Sequence, residues 1–195
     1  MTASMSTAGR GSPASAGSGT AGTRAAGSAG AAGAGATGGV MAAAGSGGMA
    51  GSGQMPTTGM LRFTVLTKTL NGRYSPKNIG AIWIERASGE FVKTLELWAA
   101  TRVRWLARWR AESGSNKVDA VTSATLRSHM MHTASWNLTD ASRNAVAPGD
   151  YKVVVEMTDH DGTGDSTEVP FTVGDPLMLT PSDQTHFVNM TLSLE

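Results

Sequence analysis

The sequence predicts an all-β fold: an immunoglobulin-like antiparallel β-sandwich with one amphipathic helix, preceded by a disordered Gly/Ala/Ser tail. Three observations carry that expectation. Seventeen of the 25 glycines fall before Met60, in a stretch whose only charged residues are Arg10 and Arg24 and which has no aromatic residue. Such a segment cannot bury enough apolar surface to offset the entropy of ordering its backbone. From Met60 to Glu195 the chain holds every Trp, Tyr and Phe, enough for one domain with a real core. Within that part, about seven short runs of β-branched and aromatic residues alternate with clusters of turn formers. The expected division is a tether over residues 1–59 and a sandwich over residues 60–195.

The elements follow in order. Leu61, Phe63 and Val65 alternate with polar neighbours, as on a half-buried strand. A turn-rich segment, Asn71 to Asn78, leads into Ile79-Gly80-Ala81-Ile82-Trp83-Ile84-Glu85, apolar on both sides and suited to a central strand covered on two faces. Ser88-Gly89 turns the chain into Glu90 to Leu95, antiparallel to the strand before it. From Leu97 to Glu112 the spacing becomes helical. At about 100° per residue, Trp98, Trp105 and Trp109 fall within about 40° of one another, with Arg104 and Arg108 opposite. A single helix ending at Gly114 and using its Trp stripe as core is expected. Thr133 to Leu138 forms a short strand around Trp136, and Pro148-Gly149-Asp150 turns into Tyr151 to Met157. A hairpin loop, Asp159 to Asp165, leads to Glu168 to Val173, where Pro170 requires an edge strand or a bulge. Val188, Met190, Leu192 and Leu194 alternate on a last strand.

Composition excludes several functions. A net charge of +1 gives no bulk affinity for nucleic acid or anionic membranes, and the absence of Cys excludes a disulfide scaffold. No run of about 18 apolar residues could form a transmembrane helix. No basic region followed by an apolar core marks a signal peptide in the sequence as given. No Gly-x-Ser-x-Gly, His-Glu-x-x-His or phosphate-cradling Gly loop occurs, so no catalytic residue is named and a non-enzymatic role is expected.

The run Asn78 to Glu85, then Gly89 to Leu95 and Leu97-Trp98, resembles a bacterial family of predicted periplasmic proteins, domain of unknown function 2271. Val118 to Thr122, Trp136 and Pro148-Gly149-Asp150-Tyr151 extend the likeness. The second half is similar to the immunoglobulin-like module of flagellar hook-capping proteins, as a fold and not as a flagellar role. The tail resembles the spacers that follow the lipidated Cys of surface lipoproteins. These resemblances imply a periplasmic or outer-membrane, cell-surface location, an envelope protein as partner, and a lipid tether if an upstream signal and Cys exist.

Asp119-Ala120-Val121-Thr122-Ser123-Ala124-Thr125 resembles the flavin-attachment motif of FMN-binding subunits in ion-pumping respiratory complexes. The resemblance implies covalent FMN at Thr125, with Asp119, Thr122 and Ala124 completing the motif. Ser123 stands where that motif has Gly. The bland alternative is a loop in which Asp119 and Thr122 satisfy backbone donors. His129-x-x-His132 offers two imidazoles, but no metal site is expected from them. Asp159, Asp161, Asp165 and Glu168 supply oxygens of the kind calcium takes, without the spacing of an EF-hand. The expected role is therefore a non-enzymatic extracytoplasmic structural or adaptor domain. The alternatives are a redox accessory protein carrying FMN at Thr125 and a calcium-stabilised binding module. Deleting residues 1–58 should leave the melting temperature unchanged. A drop of more than about 5 °C, on the order of 1 kcal/mol, would show that the tail docks on the domain.

Overall fold

The computed structural model describes residues 57–195, and the tether expected over residues 1–59 lies almost wholly outside them. Among the described residues nine strands form, in chain order: β1 Leu61–Thr67, β2 Ile79–Arg86, β3 Phe91–Trp98, β4 Val121–Ser123, β5 Met131–Trp136, β6 Gly149–Thr158, β7 Asp165–Val173, β8 Leu177–Leu179 and β9 Phe187–Leu194. Between β3 and β4 lie a 3-10 turn, Val103–Trp105, and a short helix α1, Ala107–Ser113. The strands make two sheets, ordered β5-β1-β9-β8 and β4-β3-β2-β6-β7.

The sheets pack face to face as period-two patterning requires. Leu61, Phe63 and Val65 of β1 and Met190, Leu192 and Leu194 of β9 meet Ile82, Ile84, Val153 and Val155 in one core. Trp136 packs against Tyr151 and Phe171 with ring centroids 5.7 and 6.2 Å away. The Tyr151 hydroxyl donates to the Ala147 carbonyl at 2.7 Å, locking the Pro148-Gly149 turn as immunoglobulin-like sandwiches do. The β2–β3 hairpin forms at Ser88-Gly89, and Pro170 falls on β7, an edge strand, where its missing N–H costs no ladder bond.

β2 is buried along nearly its whole length, so the five-stranded sheet is covered on both faces. The outer cover is a second cluster in which Ile79, Ala81, Trp83 and Val154 meet Leu97, Leu106 and Trp109. Here the structure departs from the single helix expected over Leu97 to Glu112. Leu97 and Trp98 continue β3, and only Ala107–Ser113 is α-helical. Trp98 points into the inner core, where its Nε1 donates to Asn78 Oδ1 at 2.9 Å. Trp109 is buried on the opposite face of the sheet, and Trp105 is only half-buried in the 3-10 turn. The three indoles therefore form no single stripe. A strand covered on both faces shows no alternation, and its apolar residues imitate a helical period.

Trp98 gets its space from Gly80, its cross-strand partner, where a Cβ would lie 2.6 Å from the Glu156 carbonyl oxygen and inside the indole. The helix starts where Glu156 of β6 caps it. That carboxylate accepts the backbone N–H of Arg108 at 3.2 Å and of Trp109 at 2.8 Å, while Leu106 supplies no side-chain cap. Burial raises the Glu156 pKa, and the helix N–H groups counter only part of that rise. Gly114 ends the helix in the left-handed conformation at φ 58°, as expected.

Two further differences lie at the sheet edges. β4 and β8, three residues each, were not anticipated, and β4 runs parallel to β3 in an otherwise antiparallel pair of sheets. Trp109→Ala should cost about 3–5 kcal/mol in chemical denaturation. Trp105→Ala should cost only about 1–2 kcal/mol, because part of its indole stays in water. Equal losses at the two positions would contradict the division of the indoles between buried helix and half-open turn.

Candidate groove between two sheet edges

β4 ends one sheet and β5 ends the other, and a groove of about 460 Å3 opens between them. One wall is Lys93 to Glu96 of β3 with Asp119 and Val121, and the other runs from Met130 to Asn137 along β5. Met60 lines the groove beside Trp136 and Asn137. One polar pair joins the walls and a second lies within the first wall. His132 Nδ1 lies 2.9 Å from Glu96 Oε1, and its ring stacks on Trp98 with centroids 3.9 Å apart. Lys93 Nζ reaches Asp119 Oδ2 at 3.2 Å and Thr139 Oγ1 at 2.9 Å. Apolar groups remain uncovered around these pairs: Val121 is 69% exposed, Met130 47% and Met131 43%.

The flavin-like motif forms the β4 side of this groove. Asp119 adopts φ 59°, and its carboxylate is taken by Arg143 at 2.9 Å and by Lys93. Those two cations hold its pKa down at about 2, Arg143 contributing more. Asp119 therefore engages side chains and not the backbone donors that a simple loop would offer. Thr122, Ser123 and Ala124 are exposed, and Thr125 is half-buried. Val121 to Ser123 form β4 in extended backbone, so the position where the flavin motif has Gly demands no positive φ here.

The other candidate ligands are drawn apart. Asp159 is fully buried and accepts from Thr69 Oγ1 at 2.7 Å and from the N–H groups of Leu70 and Gly72 at 3.0 Å, fixing the turn before β2. Asp161 accepts from the Tyr74 hydroxyl, Asp165 faces His186, and Glu168 pairs with Arg108 and Lys152. Each of the four acids considered for calcium thus serves its own set of partners, and no cluster of three metal-ligating groups occurs among the described residues. His129 lies beside Asp159 at 3.8 Å while His132 pairs with Glu96, so these imidazoles do not share a site. Burial holds the His129 pKa down, partly countered by Asp159.

A charged cluster on the outer face escaped sequence reasoning altogether. Glu85 is buried under Arg108 and Lys152, 3.8 and 3.0 Å away, and accepts from the Trp83 indole. Burial opposes its charge, but hydrogen bonds with Glu112, Trp83 and Lys152 prevail and hold its pKa below the usual value. Glu112, bonded to Arg108 at 3.0 Å, is pushed up to about 7 by burial and by Glu85 beside it. No local pattern marks these groups, because they converge from β2, α1, β6 and β7.

The described residues thus form a two-sheet β-sandwich with a short capped helix on one face and an open groove along one side. The chain belongs to the domain of unknown function 2271 family, described as predicted periplasmic proteins, whose family profile matches residues 61–184. No curated protein and no solved structure matches it. No helix among the described residues is long and apolar enough to cross a membrane.

The raised Glu112 pKa has a definite sign. The folded chain holds this proton more tightly than the unfolded chain, whose value is near 4.5. Its stabilising contribution is complete below about 4.5 and is lost as pH rises through about 7. Buried His129 works in the opposite direction, so the Glu112 effect is isolated by comparing variants. Glu112→Gln should melt close to wild type at pH 5 and a few degrees above it at pH 8. A difference that does not change with pH would contradict the proton shared at Glu85 and Glu112.

Proposed function

We propose that this protein is a non-enzymatic adaptor of the bacterial envelope that holds a protein partner in the groove between β4 and β5. The observation that carries this is the groove itself. Two sheet edges open to the same side, with uncovered Val121, Met130 and Met131 around a stacked His132–Trp98 pair. Uncovered apolar groups gathered along a concave surface mark interaction sites more often than scattered ones do. The predicted periplasmic character of the family gives the setting.

A second reading, a redox accessory role with covalent FMN at Thr125, is favoured by one feature. Thr122, Ser123 and Ala124 stand exposed on a short edge strand that a modifying enzyme could approach. Against it, Asp119 is committed to Arg143 and Lys93, and Thr125 itself is half-buried.

Site-specific photo-crosslinking in a host that naturally makes the protein tests both readings. A crosslinker at Val121 should give a discrete protein adduct, and one at Thr172, on exposed β7 across the sandwich, should give none. Absence of an adduct at Val121, or equal adducts at both positions, would overturn the adaptor. Intact mass of the same material reports on the flavin. An FMN adduct that Thr125→Ala removes would put the redox role in its place.

A further inference from the structure

We infer that the groove receives its partner as an added β-strand, an extended and uncharged segment that pairs with the free edge of β5. This rests on the adaptor reading and names what that site recognises. The two sheets have four edges among the described residues: β5, β8, β4 and β7. β4 and β8 are only three residues long. β7 carries Pro170, with Asp165 and Glu168 along it, and Glu168 is tied down by Arg108 and Lys152. Short strands, proline and charge are the devices by which edges avoid pairing with other chains.

β5 has none of them. It runs six residues in unbroken register with β1, from Met131 opposite Leu66 to Trp136 opposite Leu61. Its exposed positions are Met131, Thr133 and Ser135, all uncharged. Its main-chain ladder is with β1 alone among the described residues. The outward N–H and C=O groups are thus a template for one more strand, and main-chain pairing would supply affinity while side-chain pockets set selectivity.

The groove fixes the chemistry of that strand. Alternate side chains of an added strand would turn toward Leu95, Val121 and Trp136, which favours apolar residues at every second position. Lys93 is paired with Asp119, Asp119 also with Arg143, and Glu96 is hydrogen-bonded to His132, so each charged lining residue already has a partner in this chain. A bare strand fits better than a second copy of this domain. Asp119 and Val121 line the groove facing β5, and the same wall on a second copy would stand against them.

Random heptapeptides displayed on phage and selected on the full-length protein supply the probe. Enriched peptides should alternate apolar residues, lack proline at pairing positions and slow hydrogen exchange of the β5 amides. N-methylation of alternate peptide amides should weaken binding at least about tenfold, because each removed donor strands a carbonyl of β5. Thr133→Lys, with an unchanged melting temperature, should also weaken it. Enriched peptides that leave β5 exchange unchanged, or that tolerate N-methylation in both alternate sets, would overturn strand addition. Failure to enrich any peptide, or a concentration-dependent dimer joined through β5, would do the same. An adduct at Val121 that persists beside any of these results would leave the adaptor standing and remove only its proposed mode of binding.

Discussion

The structure depends on β2 being buried from both sides. Ile82 and Ile84 fill the space between the sheets, while Ile79, Ala81 and Trp83 form the outer cluster. A two-sheet sandwich covers only one face of each sheet, so the outer face of this one needs a separate cover. Leu106 and Trp109 supply it, carried by a helix too short to be stable alone. Glu156, itself buried in β6, fixes that helix by accepting the N–H groups at its start. From Gly114 the chain returns to the edge of β3 as β4 and then crosses to the other sheet as β5. The groove is a consequence of that path.

Buried carboxylates do the positioning in three places. Glu156 caps α1, Asp159 gathers Thr69, Leu70 and Gly72, and Glu85 sits beneath Arg108 and Lys152. Burying a carboxylate is costly, and replacing such groups by apolar ones is often neutral for stability. Their contribution here is geometric, since each ties a loop or helix to one place on a strand. Glu112 reaches about 7 for the same reason, because it is desolvated by burial and shares its space with Glu85, where one negative charge is easier to hold than two.

Much of this was legible in the sequence. β1, β2, β5, β6, β7 and β9 follow from period-two patterning or an unbroken β-branched run, and Pro170 marked its strand as an edge. The segment Leu97 to Glu112 misled because Leu97 and Trp98 face opposite clusters of a doubly covered strand, and Trp109 happens to continue a helical phase with Trp98. β4 and β8 are too short to carry a period. The cap on α1 comes from Glu156, forty-nine positions beyond Ala107, and no local capping box announces it. Asp119 was singled out for a resemblance, yet its partners Lys93 and Arg143 become visible only once β3 and the turn before Val146 lie side by side.

An edge strand left open is costly to keep, because it invites pairing with any extended chain. Among the described residues, three sheet edges are blunted and β5 is left plain. Amide hydrogen exchange on the free full-length protein tests this most directly. Along Met131 to Trp136, amides bonded to β1 should exchange slowly and the alternate, outward amides quickly. Uniform slow exchange along β5 would show that another part of the chain already covers the edge, and would contradict the account.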